Sequence, residues 1–128
     1  MEAEEMKKTC IGFEMEDAAE AYAHMDLKLV EEYGQKAYGN YLYTWDDGER
    51  YLCKCKSCGG YVLVQSSEYH DMSGGEDCYY VDYFPVDSPE AADELNRKYD
   101  GFDIEFKSGI RYLIADNFNP RWSVRTKE

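Results

Sequence analysis

The sequence predicts a single α+β domain, residues 1–128: a mainly antiparallel sheet of about five to six strands, two helices and a zinc knuckle. Three observations predict it. The hydrophobic period is three to four over residues 16–33 and switches to two from residue 40. It turns helical again after Ser88 and returns to two from residue 102. Strands arrive in runs flanked by helices rather than alternating with them, which favours α+β over a parallel sheet. The chain has 128 residues, 44% of them hydrophobic and 16% aromatic. That is enough for one core and too little for two, and it excludes disorder.

The elements follow in order. Residues 1–12 are charged, show no periodicity and read as a loose, flexible arm. Residues 16–33 read as a helix, with Ala19, Tyr22, Ala23, Leu27 and Val30 along one stripe and Gly34 as its C-terminal cap. Tyr41, Tyr43 and Trp45 alternate with polar neighbours and predict a strand, turned at Asp46-Asp47-Gly48 onto a hairpin partner over residues 50–55. Residues 55–60 make a second tight turn, and 61–65 a third strand. Residues 66–77 are polar and read as a loop, and 78–84 as a fourth strand stopped by Pro85. Ser88 caps a second helix with Pro89 at its first position, where the missing N–H costs nothing. Phe102, Ile104 and Phe106 alternate with Asp103 and Glu105 as a strand. Residues 110–114 form the last one, and an irregular tail starts at Asn117. The order is helix, four strands, helix, two strands.

The chemical signal lies in Cys53-Lys54-Cys55-Lys56-Ser57-Cys58-Gly59-Gly60. Two residues between Cys55 and Cys58 let a tight turn aim both sulfurs at one metal. The glycine that follows lets backbone N–H groups point at the thiolates, and Lys54 and Lys56 would offset their charge. Zinc takes four ligands at tetrahedral corners. Cys55, Cys58, His70 and Cys78 are the expected set. Cys53 shares a strand face with Cys55 and could replace His70 or Cys78. Cys10, in the arm, is the weakest candidate. Cys58→Ala should therefore cost far more stability than Cys10→Ala. His24, beside a helical stripe, reads as a partly buried or surface histidine. The site is expected to be structural. A redox Cys-x-x-Cys sits at a helix N-terminus, whereas these flanks read as strands. The His-x-Glu and Pro-Cys-x-x-Cys of zinc deaminases are absent. No phosphate loop, Ser-His-Asp order or paired-carboxylate motif stands out, so no enzyme is expected.

Charge supplies the remaining evidence. Asp and Glu number 27 against 14 Lys and Arg, a net −13. Residues 1–34 carry −7 and residues 61–106 carry −10, against +1 for 35–60 and +3 for 107–128. Direct nucleic-acid binding through a basic surface is excluded. Five cysteines, three of them within six positions, make a poor disulfide framework. The longest apolar run, Tyr61-Val62-Leu63-Val64, is far short of the ~20 residues of a spanning helix. A cytoplasmic, acidic monomer with no membrane contact is expected.

In size, acidity and the knuckle from Cys53 to Gly60, the chain resembles phage-encoded anti-CRISPR proteins. That resemblance implies a non-enzymatic inhibitor with a structural zinc, binding a basic nucleic-acid-handling partner such as the Cas effector nuclease of a type II system. Carboxylates would imitate phosphates and block the DNA or RNA path. Glu90, Asp93, Glu94, Asp100, Asp103 and Glu105 are the expected partner-binding residues, with Glu16, Asp17 and Glu20 as a second patch. The alternative is an immunity protein that neutralises a bacterial toxin by direct binding.

Overall fold

The computed structural model describes residues 8–36, 45–69, 78–99, 104, 109–116 and 119–123. Side chains are described for all of these except 34–36, 45–48, 67–69, 78, 79 and 116. A 3-10 turn, Ile11–Glu14, leads to α1, Ala18–His24. Four strands follow: β1 (Leu27–Lys36), β2 (Trp45–Cys55), β3 (Tyr61–Tyr69) and β4 (Cys78–Pro85). Then come α2 (Pro89–Lys98), β5 (Leu113–Asp116) and β6 (Asn119–Trp122). The six strands form one antiparallel sheet in sequence order, β1 to β6.

Strand alternation divides the core between the two faces. Leu52, Leu63, Phe84 and Ile114 point to one face and pack with Ala91, Ala92, Leu95 and Tyr99 of α2. Cys53, Cys55, Val62, Val64, Val81 and Ala115 point to the other, under Phe13 of the 3-10 turn and Tyr22 and Met25 at α1. The sheet is therefore the middle of three layers. α2 forms as its sequence dictates: the Ser88 hydroxyl accepts from the Ala91 N–H at 3.1 Å, and Pro89 opens the helix.

The α+β class, the sheet and the element order match expectation, but several segments fill different places. The helix expected over residues 16–33 stops at His24, and Leu27–Lys36 is β1. Register shifts after Leu29 and after Glu32 interrupt strict alternation. One extra residue per bulge changes the period from two to three, which mimics a helix in sequence. Asp46-Asp47-Gly48 is no hairpin turn. It lies inside β2, at a register shift against β3 between Asp46 and Glu49. β2 pairs back onto β1, while the strand expected through Tyr41 and Tyr43 falls outside the described residues. β3 continues to Tyr69, past the expected boundary. Ile104 is helical and fully buried rather than in a strand, and the other residues of the strand expected over 102–106 fall outside the described residues. β4 pairs directly with β5. The tail expected to be irregular supplies β6, where Pro120 is accommodated on a sheet edge.

The arm also differs from expectation from residue 8 onward. Thr9 bridges Tyr61 in parallel fashion, the Tyr61 N–H donates to Lys8 O at 2.9 Å, and the Cys10 N–H donates to Tyr61 O at 3.2 Å. Gly60 permits this approach: a Cβ there would collide with the backbone of Thr9 and Cys10. The arm is thereby fixed beside the Cys55–Gly60 turn.

Candidate metal centre

Docking the arm brings Cys10 to the knuckle. The turn after β2 closes through Cys55 N–H to Gly60 O and Gly59 N–H to Cys55 O, both 2.7 Å. Gly59 takes φ +80°, a left-handed conformation that glycine adopts without strain. This places Cys55 and Cys58 on one side of the turn. Asp17 caps α1, its carboxylate accepting from the Ala19 N–H at 3.1 Å, and the helix ends at His24. His24 Nε2 lies 3.7 Å from Cys55 Sγ. The ligand atoms of Cys10, His24, Cys55 and Cys58 all lie within 4.8 Å of one another, close enough to hold a metal ion. Three chain segments thus supply four donors.

The packing around the cluster is tight. Gly12 is buried beneath α1; a Cβ there would meet Met25 Cε at 3.1 Å and Cys10 Sγ at 3.6 Å. The 3-10 turn is also tied to the far edge of the sheet. Trp122 Nε1 donates to Glu16 O at 3.0 Å, Arg111 donates to Phe13 O at 3.1 Å, and the Arg111 guanidinium lies 3.7 Å from the Trp122 ring centroid.

The sulfurs differ electrostatically. Burial raises the Cys55 pKa, but hydrogen bonds from the backbone N–H groups of Asp26, Cys58 and Ser57 outweigh it and hold the thiol below its ordinary value. Burial is also the largest effect on Cys10, and together with the neighbouring Cys55 and Cys58 sulfurs it pushes that thiol up to about 12. Three adjacent sulfurs repel as thiolates, and a cation among them removes that repulsion. The lysines contribute little: Lys54 lies over the Tyr61 ring, and Lys56 is exposed, 3.9 Å from Asp26. Lys8 reaches the turn instead, its Nζ donating to Cys58 O at 2.6 Å.

Two of the four expected ligands, Cys55 and Cys58, belong to this cluster. Cys78 is carried away from it: β3 and β4 pair Val62 with Pro85 and Tyr69 with Cys78. Seven residues of strand, roughly 23 Å, therefore separate Cys78 from the knuckle end of the hairpin. His70 lies outside the described residues. Cys53 is buried on the same face as Cys55, as expected, but is not among the four grouped donors. Cys10 and His24 take the remaining places. The sequence ranks Cys10 last among the candidate ligands and offers no ligand role for His24, because neither has a spacing relation to the knuckle; the parallel bridge at Thr9 and the end of α1 bring them there.

The expected acidic residues are dispersed. Glu90 and Glu94 are exposed on α2, while Asp93 is half-buried and accepts from the Tyr33 hydroxyl at 3.0 Å. Asp100, Asp103 and Glu105 fall outside the described residues. Glu16, Asp17 and Glu20 are exposed at α1, on the opposite side of the sheet from α2. No described helix is long and apolar enough to cross a membrane. Comparison of the chain with protein-family models, curated proteins and solved structures returned no match.

Proposed function

We propose that this chain is a zinc-stapled, non-enzymatic inhibitor whose acidic surface binds a basic, nucleic-acid-handling protein and blocks its DNA or RNA path. The observation that carries the binding reading is the exposure of acids on both sides of the sheet: Glu16, Asp17 and Glu20 on one, Glu90 and Glu94 on the other. Electrostatic complementarity of this kind speeds docking and selects cationic partners.

The metal reading rests on Cys10, His24, Cys55 and Cys58. A tetrahedral zinc with Zn–S bonds of ~2.3 Å sets its donors roughly 3.5–3.8 Å apart. The 3.7 Å between His24 Nε2 and Cys55 Sγ fits that spacing. Four protein donors complete the coordination and leave no open position for substrate, which favours a structural role. Zinc there would join the arm, α1 and the knuckle and add its binding energy to folding.

The test has two parts. Metal analysis of the purified chain should give about one zinc per chain, with the cluster thiols silent to titration until a chelator is added. Capture assays against a type II Cas ribonucleoprotein and against a cationic nuclease toxin, at low and high salt, then separate the two partner classes. Binding that falls with salt is expected for one of them. Salt-insensitive binding, or none to either, would overturn the inhibitor reading.

A further inference from the structure

A cleft of about 550 Å³ opens beside the metal centre on the α1 side of the sheet. Tyr22 and Met25 form one wall, Leu27 and Leu29 of β1 another, and Tyr51 and Cys53 of β2 lie between them. Val64 and Tyr83 complete the lining, and Tyr22 meets Tyr83 edge-on at 6.1 Å. Leu29 and Val30 are 50% and 46% exposed, unusual for large aliphatic residues side by side. They lie on β1, which is a sheet edge in the strand order.

Among the described residues, no charged side chain lines this cleft. Glu32 is exposed and pairs in register with the lining residue Tyr51, which sets a carboxylate beside that tyrosine on the same face of the sheet. Lys28 and Lys54 are register partners of each other, and alternation sets both on the opposite face from Leu27, Leu29 and Cys53. Tyrosine rings attract cations to their faces, and the aliphatic stems of Lys and Arg cover apolar surface. Aliphatic walls, three tyrosines and a carboxylate beside one of them are the complement of such a side chain.

We propose that this cleft docks an extended, arginine- or lysine-bearing segment of a protein partner, with a cationic side chain lying along Leu29 and Met25 toward the tyrosines and Glu32. The proposal rests on the basic-partner reading above. Of the two sides that carry exposed acids, it assigns docking to the α1–β1 side rather than to α2. It also links docking to the metal, because Tyr22 and Met25 flank the ligand His24 and their wall is held by the same cluster.

The probe is a synthetic heptapeptide alternating leucine and arginine, titrated into the zinc-loaded full chain and followed by NMR; its glutamate counterpart is the control. Saturable shifts of Tyr22, Leu29 and Tyr51 with the arginine peptide alone are expected. Glu32→Lys should weaken that binding about fivefold, and Tyr22→Ala comparably. Glu32 is a surface residue, so its variant keeps the test valid if Tyr22→Ala does not fold. Shifts centred on Glu90 and Glu94 would overturn the cleft and leave the basic-partner reading standing. No saturable shift anywhere would count against both. Cleft signals that shift on dilution without peptide would assign the cleft to a second copy of the chain and overturn the proposal, as would equal binding of the glutamate peptide.

Discussion

At the scale of single residues, Cys10 changes meaning most. In sequence it is a lone thiol in a charged arm; in the fold it is a buried sulfur beside Cys55, Cys58 and His24. The expectation that Cys58→Ala costs far more than Cys10→Ala is thereby replaced. With both sulfurs in one cluster, either variant leaves a zinc three-coordinate by protein. The two should lower the melting temperature of the zinc-loaded chain by similar amounts. Cys53→Ala, which removes only a buried thiol from the core, should cost on the order of 1 kcal/mol. Thermal melts with and without chelator check this: the chelator should erase most of the difference between the wild type and the Cys10 and Cys58 variants. A Cys10→Ala variant that melts like the wild type with zinc present would remove Cys10 from the ligand set.

At the scale of elements, a buried cation joins the sheet to α2. Arg50 on β2 is fully buried. Its Nε donates to Gln65 Oε1 on β3 at 2.6 Å, and its guanidinium donates to Tyr99 O at 2.7 Å and Asn96 Oδ1 at 3.2 Å. The carbonyls near a helix C-terminus lack intrahelical donors, and a cation there also answers the helix dipole. The sheet thus supplies α2's terminal partner. Arg50→Met roughly keeps the volume but removes the donors to Gln65 Oε1, Asn96 Oδ1 and Tyr99 O. A loss of about 3 kcal/mol is expected in urea unfolding. Arg50→Lys should recover part of it by keeping the charge. An Arg50→Met midpoint equal to the wild type would show that α2 needs no such tie. The elements also mark where local patterns mislead. α2 was legible because Ser88 and Pro89 act through the backbone of their own helix. β1 was not, because its bulges are defined by pairing with β2.

At the scale of the whole molecule, the two faces of the sheet are stabilised differently. The α2 face is an ordinary apolar layer of Leu52, Leu63, Phe84 and Ile114 against Ala92 and Leu95. The α1 face is covered by a seven-residue helix and a 3-10 turn, too short to be stable alone. Beyond the packing of Phe13, Tyr22 and Met25 over Val62, Val64, Val81 and Ala115, it rests on the arm, the Trp122 contacts and the cluster. Removing the metal from the zinc-loaded chain should therefore act on one side. Hydrogen exchange should quicken over residues 8–25 and 55–61, while α2 and the centre of β3 keep their protection. Uniform loss of protection would instead make the metal a requirement for the entire fold. The same layering separates Glu16, Asp17 and Glu20 at α1 from Glu90 and Glu94 on α2, so these exposed acids lie on two opposite surfaces rather than on one.

Local features are legible in the amino-acid sequence: the α+β class, the turn from Cys55 to Gly60, the cap of α2, the strands around Val62 and Tyr83, and two of the clustered donors. Each of these is fixed by residues within a few positions of one another, through backbone geometry or side-chain period. The rest follows from contacts between distant segments. Cys10 and His24 join Cys55 and Cys58 because a parallel bridge docks the arm on Tyr61 and because α1 stops at His24. Cys78 is excluded from the knuckle because strand register carries it to the far end of β3. A four-donor cluster depends on where distant segments end in space, and sequence spacing encodes that only where one turn supplies the donors.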